Sequence, residues 1–137
     1  MEKISVADNI VFRKSVDILN ECFGKKYKAW MKATYFLSDT EMVWFPKRAL
    51  LEGGQYIAQN KVFGCINTIS SDGMEIQEWH SAACGAADIL WRYVFMKSER
   101  KQEYRFVGVF SKNYEKSSNE IAVYRRVGDT LDLSQWL

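Results

Sequence analysis

The spacing of hydrophobic and polar positions changes along the chain, and each spacing predicts a type of element. Between residues 13 and 23 apolar side chains recur at steps of three and four, which predicts a helix that stops at Gly24. From 27 to 37 apolar residues alternate at a period of two, which favours a strand. A short apolar run at 42–45 predicts another strand, and residues 47–51 predict a single helical turn.

The clearest signal in the middle of the chain is a β-hairpin. Two β-forming runs, 63–69 and 74–79, flank the turn Ser71-Asp72-Gly73. Asp-Gly between alternating runs is the strongest short-range mark of a hairpin. The small, Ala-rich residues 80–90 that follow predict a short helix or a packed loop.

Three more strands are predicted in the last third of the chain, at 91–96, 104–110 and 120–127. In the second of them Gly108 interrupts a row of aromatic side chains, which leaves space for a neighbouring backbone or a ligand to approach. The tail 128–137 carries enough apolar side chains to pack back on the body.

Length and composition fit one globular unit. The chain has 137 residues, of which 47% are hydrophobic and 26% charged, and it contains no internal repeat or linker-like stretch. We therefore expect a single domain over residues 1–137. Its predicted class is α+β, with about seven strands in a curved antiparallel sheet or small β-barrel and one N-terminal helix.

The net charge of +2 hides an uneven distribution of charge along the sequence. Residues 91–126 contain nine Lys and Arg against four Glu, a local charge of +5, whereas residues 1–90 contain ten basic and eleven acidic side chains. A basic half on a nearly neutral chain suggests an anionic partner. The alternative is a set of solvated hairpin loops.

No enzyme class gains support from the motifs. The single histidine, His80, has Ser81 and Cys84 nearby, but the chain contains no GxSxG sequence. Gly53-Gly54 lacks the surroundings of a phosphate-binding loop, and no Glu-x-Lys follows the acidic residues as metal-dependent nucleases require. We therefore expect no catalytic residues, no metal and no cofactor.

The cysteines and the hydropathy of the chain indicate in which cellular compartment the protein is expected. Cys22, Cys65 and Cys84 form no CxxC pair, so a zinc site or a redox pair is not indicated. Three free thiols fit a reducing cytoplasm. No window approaches 18 consecutive apolar residues, and the first residues carry no apolar signal core, so no membrane association is expected.

Aromatic residues make up 15% of the chain, and several lie on predicted strands among arginines. Cations that neutralise phosphates and aromatic faces that stack on bases are typical of nucleic-acid-binding proteins. The candidates for stacking on a base are Trp44, Trp79, Tyr104 and Phe106. The candidates for reading a base edge are Asn67 and Asp72. The candidates for phosphate binding are Arg92, Arg105, Arg125 and Arg126. The alternative for each aromatic residue is the hydrophobic core, although both faces of the 91–110 hairpin carry large side chains and would need a cover or a partner.

The last third of the chain resembles a known family. The runs Arg92-Tyr93-Val94-Phe95, 104–110 and Val123-Tyr124-Arg125-Arg126-Val127 resemble the PUA-like modules attached to modification-dependent restriction nucleases, a superfamily that includes the SRA and EVE domains. The resemblance covers about 45 residues. It implies a curved β-barrel with flanking helices, and in SRA members a flipped, often modified cytosine in an aromatic pocket.

Three functional hypotheses follow. The first is a bacterial nucleic-acid-binding domain that binds DNA in preference to RNA. It would read a modified base in defence against phages, either as a free-standing domain or as part of a larger nuclease. The second is a protein-interaction module, such as a small cytoplasmic subunit or inhibitor, whose exposed aromatics contact a partner. The third is a small enzyme on a nucleotide-like substrate with His80 or a carboxylate as its base.

Overall fold

The structure is a computed structural model that describes residues 1–53, 55–57, 65–79 and 89–137. One 3₁₀ turn, Val6–Asp8, precedes one helix, α1 (Ser15–Phe23). In chain order the strands are β1 (Lys3–Ser5), β2 (Thr34–Phe36), β3 (Glu41–Trp44), β4 (Leu50–Glu52), β5 (Gln55–Ile57), β6 (Ile66–Ile69), β7 (Glu75–Trp79), β8 (Trp91–Lys97), β9 (Tyr104–Lys112), β10 (Ile121–Gly128) and β11 (Thr130–Asp132).

Seven strands form one curved sheet in the order β2-β3-β8-β9-β10-β7-β6. Neighbours are antiparallel except β3 and β8, a parallel pair that sequence patterns do not reveal. No ladder joins the edge strands β2 and β6, so the sheet is open and does not close into a barrel. An isolated bridge from Arg48 to Asn67 nevertheless brings the segment after β3 against β6. The predicted α+β class with a curved sheet and one N-terminal helix is confirmed.

The sheet is covered on both faces, in two different ways. One face packs against α1 and against the two-stranded ribbon of β1 and β11, and the other face curls around a second apolar cluster. Alternation along β8 divides its side chains, because Tyr93 and Phe95 face the first cluster whereas Val94 and Met96 face the second. Most large side chains on both faces of the 91–110 hairpin are thereby accommodated in the core, whereas Trp91 is 37% exposed.

Helix α1 forms where the sequence predicts it. Ile18, Leu19, Cys22 and Phe23 are buried against the sheet at helical spacing. Gly24 then adopts the left-handed conformation, with φ of 66°, and its N–H donates to the carbonyl of Leu19. A Cβ at this position would overlap the Trp136 carbonyl, so the helix end and the packed tail both require glycine.

Two predicted elements are wrong. Of the strand predicted at 27–37 only β2 forms, because Asn20 holds Tyr27 through hydrogen bonds to both its N–H (3.0 Å) and its carbonyl (2.9 Å), away from any neighbouring strand. The helical turn predicted at 47–51 does not form. Its backbone is extended, since the N–H of Arg48 donates to Lys97 and that of Ala49 to Asn67.

Other predictions are confirmed within the described residues. The β6–β7 hairpin turns at Ser71-Asp72-Gly73, with a φ of 74° at Gly73, and the tail buries Leu131 and Leu133 in the first cluster. Residues 80–88, with His80 and Cys84, and Gly54 lie outside the described residues.

The cysteines differ from the prediction of three free thiols. Cys22 is free and buried in the first cluster, and burial raises the pKa of its thiol to about 12. Cys65 is disulfide-bonded, so the prediction is wrong for this residue. Among the described helices none is long and apolar enough to cross a membrane.

Candidate nucleic-acid interface

A cavity of about 590 Å³ opens between the end of β3 and the β6–β7 hairpin, and we refer to it as the β3–β6 cavity. Residues 31–34 and 44–47 form one side, and Cys65, Asn67 and Glu78 form the other. The Arg48–Asn67 bridge places these two sides opposite each other, because it ties the chain after β3 to β6.

Asn67 supplies a buried polar group to this cavity. Its side chain is 9% exposed, and its Oδ1 has no hydrogen-bond partner among the described residues. Glu78 faces it directly across the β6–β7 pairing. A buried acceptor without a partner costs stability unless something else bonds to it. The cavity therefore presents an amide that is suited to a polar ligand.

Trp44 contributes an aromatic ring to the lining, and a second ring and a cation pack on this ring. Trp44 lines the cavity and packs on Tyr124 with ring centres 5.2 Å apart. The guanidinium of Arg92 lies over both rings, and Arg92 is 4% exposed. Burial raises the pKa of Tyr124 to about 12, while the Arg92 charge opposes that shift and the Glu78 charge adds to it.

Of the six predicted base-binding residues, the structure brings Trp44 and Asn67 together at this cavity. Tyr104 and Phe106 lie on the opposite face of the sheet, where Phe106 is buried in the first cluster and Tyr104 packs against it. Trp79 ends β7 with 45% of its side chain exposed. None of these three is among the described residues that line the β3–β6 cavity, and their roles in base binding stay predictions.

Asp72 stabilises the turn of the β6–β7 hairpin. Its Oδ1 accepts hydrogen bonds from the Ser70 hydroxyl at 2.7 Å and from the Met74 N–H at 3.0 Å. These bonds hold the pKa of the Asp72 carboxyl below its usual value. The carboxylate is exposed and does not line the β3–β6 cavity, so reading of a base by Asp72 also stays a prediction.

The four predicted phosphate-binding arginines occupy different environments. Arg92 is inside the sheet, whereas Arg125 is exposed on β10. Arg105 donates to Glu103 and to Asn9, each at 2.9 Å, and the bond from Arg105 keeps the pKa of Glu103 low. Arg126 is half-buried, and its side chain fills the space that Gly108 was predicted to leave. Their phosphate contacts stay predictions.

A second cavity, of about 480 Å³, contains cations that the sequence analysis missed. Its lining includes five lysines, and we refer to it as the lysine groove: Lys14, Lys28, Lys32, Lys47 and Lys97. The signal was the run of residues 25–32, KKYKAWMK, in which lysines and aromatic residues alternate without an acid. The net charge of residues 1–90 does not reveal this run, because acidic residues elsewhere in that range cancel its lysines.

The described residues contain no group of His, Cys, Asp and Glu that could hold a metal ion. The arrangement around the two cavities instead offers rings, an amide and cations. Such groups bind an aromatic, hydrogen-bonding ligand that carries negative charge.

The sequence of the chain matches a known protein family. The family model of the SRA domain, described as the SET and RING associated domain, matches residues 1–133. The chain belongs to the SRA family. The predicted resemblance at 91–127 is thus confirmed, and it extends over the N-terminal helix and both cavities.

A solved structure similar to this SRA chain is that of the 5-hydroxymethylcytosine-specific restriction enzyme AbaSI. The two share 26% sequence identity with a TM-score of 0.71. The match covers 96% of the SRA chain but 42% of AbaSI, so the chain spans less than half the length of that enzyme. A comparison with curated proteins finds no match.

Proposed function

We propose that this SRA domain binds DNA and holds a modified cytosine, flipped out of the duplex, in the β3–β6 cavity. Membership of the SRA family supports DNA binding. The similarity to a 5-hydroxymethylcytosine-specific enzyme supports a modified cytosine as the base. The observation that carries the proposal is the unpartnered Oδ1 of Asn67 in the wall that also contains Trp44.

The size of the cavity suits a nucleobase. Its volume of about 590 Å³ falls within the range of roughly 300–1,000 Å³ that is typical of small-molecule sites. Trp44 is 4% exposed and supplies a small apolar part of the lining against which a base can pack.

Asn67 supplies the polar specificity. Its Oδ1 can accept a hydrogen bond from the exocyclic amine of cytosine, and the NH₂ of the same amide can donate to a ring acceptor beside that amine. Flipping costs a few kcal/mol, which these hydrogen bonds and the packing on Trp44 offset. The domain has no proposed catalytic step, and cleavage would belong to a separate nuclease.

Fluorescence anisotropy with three labelled duplexes tests this function: plain, carrying 5-methylcytosine, and carrying 5-hydroxymethylcytosine. We expect tighter binding to at least one modified duplex. Asn67→Leu removes both amide groups at similar volume and should reduce the preference for the modified duplex by about tenfold or more. Thr68→Ala changes the adjacent β6 residue, which does not line the cavity, and should keep the preference.

Base flipping has its own readout. A 2-aminopurine next to the modified cytosine becomes brighter when its stacked neighbour leaves the helix. We expect this increase with the wild-type domain and a smaller one with Asn67→Leu. Equal affinity for all three duplexes, without a 2-aminopurine signal, contradicts the proposal. If the domain bound none of the duplexes, the proposal would be wrong, and the protein-interaction hypothesis would be the next to test.

A further inference from the structure

The lysine groove has no role in holding the flipped base, yet it adjoins the β3–β6 cavity. We propose that it binds the phosphate backbone of the strand whose base enters that cavity. This inference rests on the proposed function, and it assigns the main backbone contact to Lys28, Lys32 and Lys47 of the N-terminal half.

The charge of the groove supports an anionic occupant. Five lysines line it, and none of the described residues in its lining is acidic. Lys14, Lys28 and Lys32 are exposed, and within the described part of the chain none of the three forms an ion pair. Burial lowers the pKa of Lys97, and the nearby charge of Lys47 adds to the effect. A phosphate would relieve this repulsion between like charges.

The position of the groove specifies which anion it holds. Residues 31–33, Phe45 and Lys47 line both the groove and the β3–β6 cavity. A flipped nucleotide stays bonded to the phosphates on either side of it, so the backbone must pass close to the mouth of the cavity that holds the base. Lys32 and Lys47 lie at that boundary, and Lys28 and Lys14 continue the track away from it.

Two arginines beside the groove share one carboxylate. Arg13 and Arg105 both pair with Glu103, at 3.5 Å and 2.9 Å. Gln102, in the groove lining, donates to the carbonyl of Arg13 at 2.9 Å. The groove lysines, by contrast, have no acidic residue beside them in the described lining, so their positive charge is available to a phosphate backbone.

The test compares two pairs of lysines of equal charge. Lys28→Ala/Lys32→Ala removes two exposed groove lysines, and Lys3→Ala/Lys112→Ala removes two lysines that do not line the groove. Affinity for the plain and the modified duplex is measured by anisotropy between about 50 and about 200 mM salt. The slope of log affinity against log salt should fall by about 0.9 for each lost phosphate contact, or roughly 1.8 for the groove pair.

The results separate the groove from the base site. We expect the groove pair to weaken binding to both duplexes by about the same factor, near tenfold, while the preference for the modified duplex is kept. The Lys3/Lys112 pair should change the slope little.

Three outcomes overturn the proposal. If the wild-type domain prefers the modified duplex and the groove pair leaves the slope unchanged, the lysine groove is not the backbone site although the proposed function stands. If the groove pair and the Lys3/Lys112 pair lowered the affinity and the salt slope equally, the net charge of the domain and not the lysine groove would determine binding. Failure of the wild-type domain to bind any duplex removes both proposals, and binding of an acidic peptide by the groove would then identify a protein partner.

Discussion

The guanidinium of Arg92 lies 4.6 Å from the ring centre of Tyr124, inside the curved sheet. The same guanidinium lies 5.4 Å from the ring centre of Trp44, and Nη1 of Arg92 donates a hydrogen bond to the sulfur of Met42 at 3.1 Å. A buried cation has lost its hydration, and ring faces and hydrogen bonds must replace it. Arg92 thus supports the wall to which Trp44 belongs, and a phosphate contact would require it to leave both rings.

Removal of the Arg92 side chain should destabilise the fold. Arg92→Ala leaves its ring and hydrogen-bond partners without the cation, and we expect the free energy of unfolding to fall by about 3 kcal/mol. Arg92→Lys keeps the charge but loses the planar stacking, so its loss should be smaller. Urea denaturation measures both. Arg125→Ala, at an exposed position, is the control, and equal losses at 92 and 125 would contradict the buried role.

The hydroxyl of Tyr124 should make stability depend on alkaline pH. Burial raises its pKa from 10.0 to about 12, so above pH 10 the unfolded chain loses this proton before the folded chain does. The contribution of Tyr124 to the free energy of unfolding is therefore fully present below pH 10. It is lost between pH 10 and 12, at about 1 kcal/mol per pH unit. Tyr124→Phe lacks this contribution.

The measurement is the urea midpoint of both proteins at pH 9 and pH 11. The wild-type protein should lose more stability than Tyr124→Phe over this interval. At pH 9 the variant should be about as stable as the wild-type protein, because the buried hydroxyl has no hydrogen-bond partner among the described residues. Parallel losses in the two proteins would assign the alkaline effect to other groups.

Local signals in the sequence predicted the local elements. Helix α1 and the β6–β7 hairpin depend on spacing, on Gly24 and on the Asp72-Gly73 turn, all of which act within a few residues. The parallel pairing of β3 with β8 depends on contacts between residues about fifty positions apart, which no local pattern encodes.

The alternation at 27–37 misled for a related reason. Period two describes a strand only if a neighbouring strand accepts its hydrogen bonds. Here Tyr27, Trp30 and Tyr35 pack on one another instead, with the hydroxyls of Tyr27 and Tyr35 2.7 Å apart. Lys28 and Lys32 of the same segment are exposed and line the lysine groove, an arrangement that a strand over 27–37 does not predict.

The candidate site was predictable by residue type but not by location. The side-chain chemistry of Trp44 and Asn67 predicts base binding, and the bridge between Arg48 and Asn67 brings them to one cavity. Tyr104 and Phe106 have equally suitable side chains, but their strand positions face the helix-covered side of the sheet. Which face of a curved sheet encloses a cavity is a property of the whole sheet.

Gly108 should tolerate no side chain. Its φ is 129°, and an added Cβ would overlap Cδ of Arg126 and lie 2.9 Å from the carbonyl oxygen of Gly128. We expect Gly108→Ala to lower the free energy of unfolding by about 2 kcal/mol or more. Gly128→Ala is the matched control, since its nearest contact would be an ordinary 3.6 Å to Val109.

A double variant separates the two causes at Gly108. Arg126→Ala removes the overlapping side chain, so Gly108→Ala/Arg126→Ala should recover part of the loss and leave the share due to φ and to the Gly128 carbonyl. Urea denaturation of the four proteins in this cycle gives the coupling. If the two substitutions had additive effects on the free energy of unfolding, the Arg126 side chain would move away from an added Cβ without loss of stability.

Met31 should contribute to DNA affinity without contributing to its salt dependence. Its side chain is 93% exposed and lines both the β3–β6 cavity and the lysine groove. An apolar side chain at this boundary can pack against the base step that the flipped nucleotide leaves, as apolar residues of other DNA-binding proteins do. Met31→Ala should therefore weaken binding to the modified duplex several-fold and leave the salt slope unchanged, because no phosphate contact is lost.

Stability and a second methionine are the controls for Met31. Thermal unfolding should be unaffected by Met31→Ala, since an exposed side chain buries little surface in the folded domain. Met74→Ala changes a methionine that is 44% exposed and lines neither cavity, and should keep wild-type affinity. If Met31→Ala reduced the salt slope as Lys28→Ala/Lys32→Ala is expected to do, its effect would come from a disturbed lysine groove. Contact of the methionine with the bases would then be excluded as the cause.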